Sequence, residues 1–403
     1  MNTDILIIGA GASGLAAAIS AKQAVPQSTV TVAEALDRCG RKLLVTGNGR
    51  CNIMNEQAQA DHYQGGIAFV SEALAQYKRR YSVFWNELGV PLKTESEGRM
   101  YPCVNQASAV LDALRLRLED LKITLKTDFQ AECIEKEGNE FSVTNGTDRI
   151  QCRRLIIATG GRAGKGLGEN DSFLRLLRPF GHTFAPQYPA LTCLKTRKGL
   201  LNGLKGVRLK GDVKLYQEEM LLGSETGEVL FQDDGLSGIA VMQLSLIAAP
   251  LIASGKLFVR LSPLGNAKQF VEQRAEMCPD RQTGQLLAGA VNRMILLNAL
   301  KRAGISPSQS AGTLTPVQID TLAEALESWD IPIIAAGTFR EAQVMLGGAK
   351  TEEFDMRTLE SKKVRGLYAA GELMDVTGPC GGYNLEWAWA SGLLAGRKAA
   401  ESL

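Results

Sequence analysis

Three glycines spaced Gly9-x-Gly11-x-x-Gly14 stand between the apolar run 4–8 and an alanine-rich segment, and an acidic residue, Glu34, ends the next apolar run about twenty residues on. This spacing fits a nucleotide cradle. Gly9 permits a tight turn, Gly11 lets the backbone approach a pyrophosphate, and Gly14 lets a helix pack closely on a strand. The helix start, at Ala12 and Ser13, offers unpaired N–H groups and a positive dipole end to the phosphates. Glu34, followed by Ala35, can accept hydrogen bonds from a ribose diol. The same glycines could serve only as a turn, but the strand–glycine–helix–strand context favours binding. The fingerprint does not separate NAD from FAD, because both carry an ADP half that binds this way.

Other residue types narrow the chemistry. The eight cysteines include no Cys-x-x-Cys pair, which argues against a zinc site and a dithiol redox centre. Two histidines, His62 and His182, are too few for a His-rich metal site, and His182 reads as a helix C-terminal cap. Lys and Arg total 45 against 43 Asp and Glu, so no global charge pulls toward nucleic acid, and a small-molecule partner is expected with no nucleic acid. Runs such as 205–214 read as solvated faces. The chain enters a strand at once, without a leader pattern, and its apolar stretches are too short to span a bilayer, so a cytoplasmic location is expected.

A longer block, Gly40-Arg41-Lys42-Leu43-Leu44-Val45-Thr46-Gly47-Asn48-Gly49-Arg50-Cys51-Asn52, resembles the flavin-contacting loop of the bacterial HI0933-like flavoproteins, within the glutathione-reductase superfamily of FAD enzymes. Two more blocks match that family: Ala158-Thr159-Gly160-Gly161, and a C-terminal stretch in which Gly371-Glu372-x-x-Asp375 precedes Gly381-Gly382-Tyr383-Asn384-Leu385. The resemblance covers nearly the whole chain. It implies that Arg41, Lys42, Leu43, Asn48, Gly49, Arg50 and Asn52 contact the cofactor or an anionic substrate, with Cys51 beside the flavin and Ala131 also at the cofactor. Physical reasoning agrees with it, because a second glycine-flanked strand end leading into a helix can meet the flavin end of a long cofactor. Backbone N–H groups of residues 383–385 would face negative charge on the ring, and Asp375 or Glu372 would hold ribityl or phosphate-side hydroxyls. The alternative role for these residues is capping and turning.

The resemblance further implies an FAD-dependent oxidoreductase that transfers hydride between flavin and a small organic substrate. It leans to NAD(P)H-linked reduction of a conjugated double bond of the dehydro-bile-acid or steroid type. An oxygen-dependent aminoacetone-type amine oxidase is the alternative within the class, and an FAD-dependent RNA-modifying protein the alternative outside it. No second glycine fingerprint exists for a nicotinamide nucleotide, so NAD(P)H would be a transient donor. No histidine lies between Glu34 and Asn55 to tether the flavin, so non-covalent FAD is expected. Tyr101 and Tyr383 are conceivable proton donors or structural residues, and no catalytic residue is assigned.

The elements that must position these residues read as an α/β fold: a Rossmann-type FAD-binding domain with an inserted β-rich domain and a helical subdomain. The pattern strand 4–8, helix to about Gln23 and strand 29–33 is a βαβ unit. A helix over 107–118 and a strand at 123–125 follow, then a small antiparallel insert over 129–152 with hairpin turns at Gly138 and Gly146, and a return strand at 154–158. The FAD-binding domain is expected over 1–186 and 349–403. The inserted substrate domain is expected over 187–348, with strands at 207–216, 220–222, 229–231 and 257–261. Its helical subdomain, at about 265–330, holds helices at 268–278, 284–303 and 316–329. A strand at 366–371 and a closing helix over 385–401 complete the chain.

Overall fold

The computed structural model describes residues 1–164 and 171–403. They form two compact units, Met1–Pro189 with Ala342–Leu403, and Ala190–Glu341. The expected domain boundaries at 186 and 348 differ by a few residues from these.

In the first unit a seven-stranded sheet runs in the order Thr124–Lys126, Val30–Ala33, Asn2–Ile8, Arg149–Ile157, Glu140–Thr144, Cys133–Glu137, with Leu367–Ala369 also paired to Arg149–Ile157. Asn2–Ile8 is parallel to both neighbours, placing Ile8 opposite Ile157 and Ala33. Residues Ile5 to Ile8 are almost wholly buried, as befits a parallel strand covered on both faces. The segment expected as a separate antiparallel insert belongs to this sheet. Arg149–Ile157 is one strand that pairs antiparallel with Glu140–Thr144 along its first half and parallel with Leu367–Ala369 along its second. Its alternating first half and continuously apolar second half read as two strands in sequence, although the backbone never breaks.

The first helix, Ala12–Ala24, packs along the closing helix, Tyr383–Glu401. A Cβ at Gly392 or Gly396 would collide with the carbonyls of Ser13 or Ala17, so glycine allows this close approach. Residues 54–102 escaped assignment from sequence. They fold as a small sheet of Met54–Asn55, Arg99–Pro102 and Leu92–Thr94 beside helices Ile67–Lys78 and Tyr81–Glu87. Trp85 and Trp389 meet edge to face at 5.2 Å and lock this layer against the closing helix.

The second unit is built on a sheet ordered Trp329–Ile333, Leu257–Leu261, Arg208–Gln217, Met220–Phe231, Gly235–Ser237, Leu194–Lys195, Ala335–Ala336. Met220–Phe231 is a single strand where two were expected. Gly223 and Gly227, between the two expected strands, leave room for Leu244, Ile247 and Ala240 of the helix Ile239–Leu251, which the sequence reading missed. The helix expected over 284–303 is divided into Thr283–Leu286 and Arg293–Arg302, with Gly289 at φ 91° between them. Helices Ala267–Met277 and Pro316–Glu327 complete the subdomain, and Trp329 starts a strand rather than ending the helix.

Candidate functional site

The fingerprint glycines divide by what surrounds them. Gly9, at φ 104°, leaves no room for a Cβ beside the Ala158 carbonyl, and a Cβ on Gly14 would strike the Gly9 carbonyl. These two serve the protein's own packing. Gly11 has an ordinary extended conformation, φ −82° and ψ −170°, and a Cβ there would meet nothing within 4 Å. Neither backbone strain nor protein packing calls for glycine here, and the open side leaves room for an external group to approach the backbone. The helix that starts after Gly11 has no acidic residue in its first turn, so its N–H groups and dipole face that space without a competing carboxylate.

Glu34 follows the strand Val30–Ala33, with Ala35 exposed beside it. Its carboxylate accepts hydrogen bonds from the Ala10 N–H at 2.7 Å and the Leu36 N–H at 3.1 Å. These contacts aim it at the cradle and leave acceptor capacity for a diol. Ala131 is buried and its carbonyl accepts from Arg175 at 3.0 Å, which places it at the base of the neighbouring loop.

The loop 40–52 is distorted in a way few residues tolerate: Gly47, Asn48 and Cys51 have φ near 56°, 56° and 60°. Leu43 anchors it in the core, while Arg41, Asn48 and Gly49 are exposed. Lys42 pairs with Glu372 at 2.5 Å, and the other Glu372 oxygen accepts the Met345 N–H at 2.9 Å. The loop and the Gly371 block, 330 residues apart in sequence, are thereby brought together. Arg50 lies 4.0 Å over the Tyr101 ring and bonds Glu95 and Asn105, so its charge is committed to the small sheet. Burial pushes the Cys51 thiol up to about 12, despite a hydrogen bond with Thr46 that lowers it, and so suppresses thiolate chemistry there.

At the C-terminal block Gly371, at φ 82°, has no room for a Cβ beside Ser13, and its N–H donates to Ser391 Oγ at 2.9 Å. The turn Gly381–Gly382, at φ 119° and 105°, leads into the closing helix, whose first residues Tyr383, Asn384 and Leu385 are half-buried. Asn384 ties the helix start to the Gly378 N–H and carbonyl. Asp375 is half-buried, and burial raises its pKa against the pull of Lys350. Gly161 packs on Glu372, whereas Gly160 faces open space.

Two buried polar atoms here lack partners: Asn52 Oδ1, which crowds the space beside Gly382, and Thr159 Oγ1. Leaving such atoms unpaired is costly, and both belong to blocks singled out for a cofactor. Together with the open face of Gly11 they fit FAD laid from the cradle to the Gly381 turn. Sequence reasoning missed Asn55 and Glu386. Asn55 donates from Nδ2 to the Gly381 carbonyl at 2.9 Å and the Glu97 carbonyl at 3.0 Å, and Glu386 is fully buried beneath it. The Gly-Gly-Tyr-Asn-Leu motif directly before Glu386 was the available signal.

His182, expected as a cap, closes the preceding helical turn with its backbone N–H, while its buried side chain bridges Glu353 and Ser361, each at 2.9 Å. Among the described residues no cluster suited to a metal ion exists, and no helix is long and apolar enough to cross a membrane.

Comparison with known proteins follows the same lines. The model of the HI0933-like protein Rossmann domain matches residues 3–398. The chain is 36% identical to a 3-dehydro-bile acid delta(4,6)-reductase of Clostridium scindens, over 98% of both chains. It is 30% identical to a ribosomal RNA dihydrouridine synthase of Escherichia coli, over 96% of both. In fold it resembles the 3-ketosteroid delta1-dehydrogenase of Sterolibacterium denitrificans, with TM-score 0.53, 13% identity and 100% of both chains covered. A flavocytochrome c3 fumarate reductase gives TM-score 0.52 at 15% identity, covering 99% of this chain and 78% of the other. With the cradle described above, these findings make the chain a member of the HI0933-like Rossmann-domain family and an FAD-dependent oxidoreductase.

Proposed function

We propose that the protein holds FAD non-covalently and reduces a carbon–carbon double bond conjugated to a carbonyl in a small organic substrate, with NAD(P)H as a transient donor. The open face of Gly11 beside an anion-ready helix start carries the cofactor part. Full-length identity of 36% to a delta(4,6)-reductase supports the bond class. The name of the 30% identical relative, a dihydrouridine synthase, also denotes saturation of a ring double bond next to a carbonyl.

FAD, when bound, supplies the hydride chemistry. The chain's residues bind and orient it. The N–H groups at Ala12, Ser13 and Gly14 take the pyrophosphate, and Glu34 takes the ribose diol. Glu372, held by Lys42, faces the ribityl side with Asp375, while Thr159, Gly160, Gly161 and Asn52 border the cofactor. The N–H groups of Tyr383, Asn384 and Leu385 meet the ring end, where their dipoles favour developing negative charge. Burial raises the pKa of the Tyr383 hydroxyl, so it keeps its proton at neutral pH and is a candidate to supply the proton that completes the saturation.

RNA as substrate is the second reading, favoured by the dihydrouridine synthase relative. The near balance of 45 basic against 43 acidic residues counts against it, and in the second unit Lys205, Arg208, Lys256, Arg260 and Lys268 each stand beside an aspartate or glutamate, which offsets their local positive charge. The test is anaerobic: reduce the flavin, add 3-oxo-4-ene and 4,6-diene steroids, and follow flavin reoxidation with mass analysis of the product. A gain of two hydrogens in the steroid supports the proposal. Reduction of the oxidised flavin by an amine, with reoxidation by oxygen and not by the steroids, would point to the oxidase alternative, and steeply salt-dependent binding of ribosomal RNA to the RNA alternative.

A further inference from the structure

Glu386 is the one carboxylate among the described residues with no exposed surface. It sits in the first turn of the closing helix, directly after the block that faces the ring end of the cofactor site. One oxygen, Oε2, accepts the Asn55 N–H at 3.1 Å; the other, Oε1, has no partner. Asn55 is itself buried and saturated: its Oδ1 accepts the Gln57 N–H, and its Nδ2 holds the carbonyls of Glu97 and Gly381. A chain of contacts thus runs from Glu386 through Asn55 to the Gly381–Gly382–Tyr383 turn. Tyr63 holds the turn from the other side, donating its hydroxyl to the Tyr383 carbonyl at 2.9 Å.

We propose that Glu386 is a positioning residue for the ring end of the site: through Asn55 it holds the Gly381–Gly382–Tyr383 turn, and its charge state is coupled to the negative charge that reaches this turn when bound FAD is reduced. The inference rests on the cofactor placement proposed above. Two-electron reduction brings two electrons and one proton to the ring and leaves it one unit more negative. The chain answers by taking one further proton from solvent onto ionised Glu386, so that two like charges do not share the buried region.

The surroundings suit this role. Burial raises the Glu386 carboxyl to about 7, against the Asn55 N–H and the charge of Lys78, which favour its ionised form. The groups facing it are Tyr63, Tyr77 and Lys78 from the preceding layer and Tyr383 from its own helix. Its charge in turn helps raise the pKa of each of the three tyrosines. Lys78 is turned toward the Ala58 and Glu56 carbonyls, so no cation neutralises Glu386 directly. The group is therefore divided between its two protonation states near neutral pH, where a change of charge nearby shifts it most.

The experiment is a redox titration of the FAD-loaded protein from about pH 6 to about pH 8, for wild type and E386Q, counting protons taken up per two electrons. Wild type is expected to take up more protons per two electrons than E386Q, which keeps an acceptor for the Asn55 N–H but has no carboxylate to protonate. An infrared difference spectrum of reduced minus oxidised wild type supplies a second readout, a gained carboxylic-acid C=O band, and decides alone if E386Q does not fold. Equal proton uptake in both proteins, or no carboxyl band in wild type, overturns the inference while leaving FAD binding intact. A protein that binds no FAD overturns the cofactor reading and this inference together.

Discussion

Gly11 is the residue at which the proposed binding role can be separated from folding. A Cβ there touches no protein atom, so Gly11→Ala is expected to change unfolding free energy by less than about 0.5 kcal/mol in a urea titration. The same substitution is expected to weaken FAD about tenfold or more in a fluorescence titration, because the methyl occupies the space the pyrophosphate needs. Unchanged FAD affinity would show that the cradle is only a turn. The cluster of His182 with Glu353 and Ser361 makes the opposite kind of statement, about stability. Burial holds the His182 pKa below its ordinary 6.5 despite the neighbouring carboxylate, so the ring is neutral, donating to Glu353 and accepting from Ser361. Burial acts to raise Glu353, yet hydrogen bonds from Lys363, Thr183 and His182 bring it down to about 2. Both folded values lie below the unfolded ones. Their contribution is therefore complete above about pH 6.5 and is lost as pH falls, first through His182 and then through Glu353 below about pH 4.5. His182→Ala is expected to cost about 2 kcal/mol at neutral pH by removing a buried ring together with its hydrogen bonds to Glu353 and Ser361, and to flatten the loss between pH 6.5 and 4.5. Urea midpoints at several pH values measure both effects. The placement of the glycine turn and of Glu34 beside it was legible in sequence because the spacing that sets it is local. Asn55 and Glu386 were not, because their meeting spans 331 positions and follows from tertiary packing alone.

Among elements, the pair formed by the first and closing helices is the one the site depends on most. In the proposed site the closing helix would bring the ring-end N–H groups and the first helix the phosphate end, and Gly392 and Gly396 set the separation of the two helices. Gly396→Val would force the helices apart, and it is expected to destabilise the protein by on the order of 3 kcal/mol and weaken FAD in parallel. Thermal denaturation followed with and without added FAD checks this: a normal melting temperature would mean the helices can part freely. Long elements with one environment were readable, as in the helix Ala107–Asp120 and the strand Asn2–Ile8. Elements that change environment along their length were not. Arg149–Ile157 leaves an antiparallel edge for a parallel interior, and Met220–Phe231 carries glycines chosen for a covering helix rather than for a turn. In the layer at 54–102 the strands are two to four residues long, too short to show a period, whereas the helix Ile67–Lys78 buries Phe69, Val70, Ala73, Leu74 and Tyr77 at helical spacing and was a readable signal that sequence reasoning missed.

For the whole molecule, the sequence divides its labour between a cofactor unit assembled from both ends of the chain and a second unit with its own sheet and apolar core. The discontinuity was visible because the glycine-ended strands recur at the two ends, separated by a stretch of different pattern. Everything proposed for catalysis depends on one physical claim, that the cradle and the distant Gly381 turn together hold a reducible, dissociable FAD. The most direct test is the visible spectrum of the purified protein, followed anaerobically after adding NADH or NADPH and again after denaturation. The purified protein is expected to be yellow, to bleach with a nicotinamide donor and to release its flavin into the supernatant as intact FAD. A colourless protein that FAD does not reconstitute would contradict that claim, and flavin retained in the denatured pellet would contradict the non-covalent attachment.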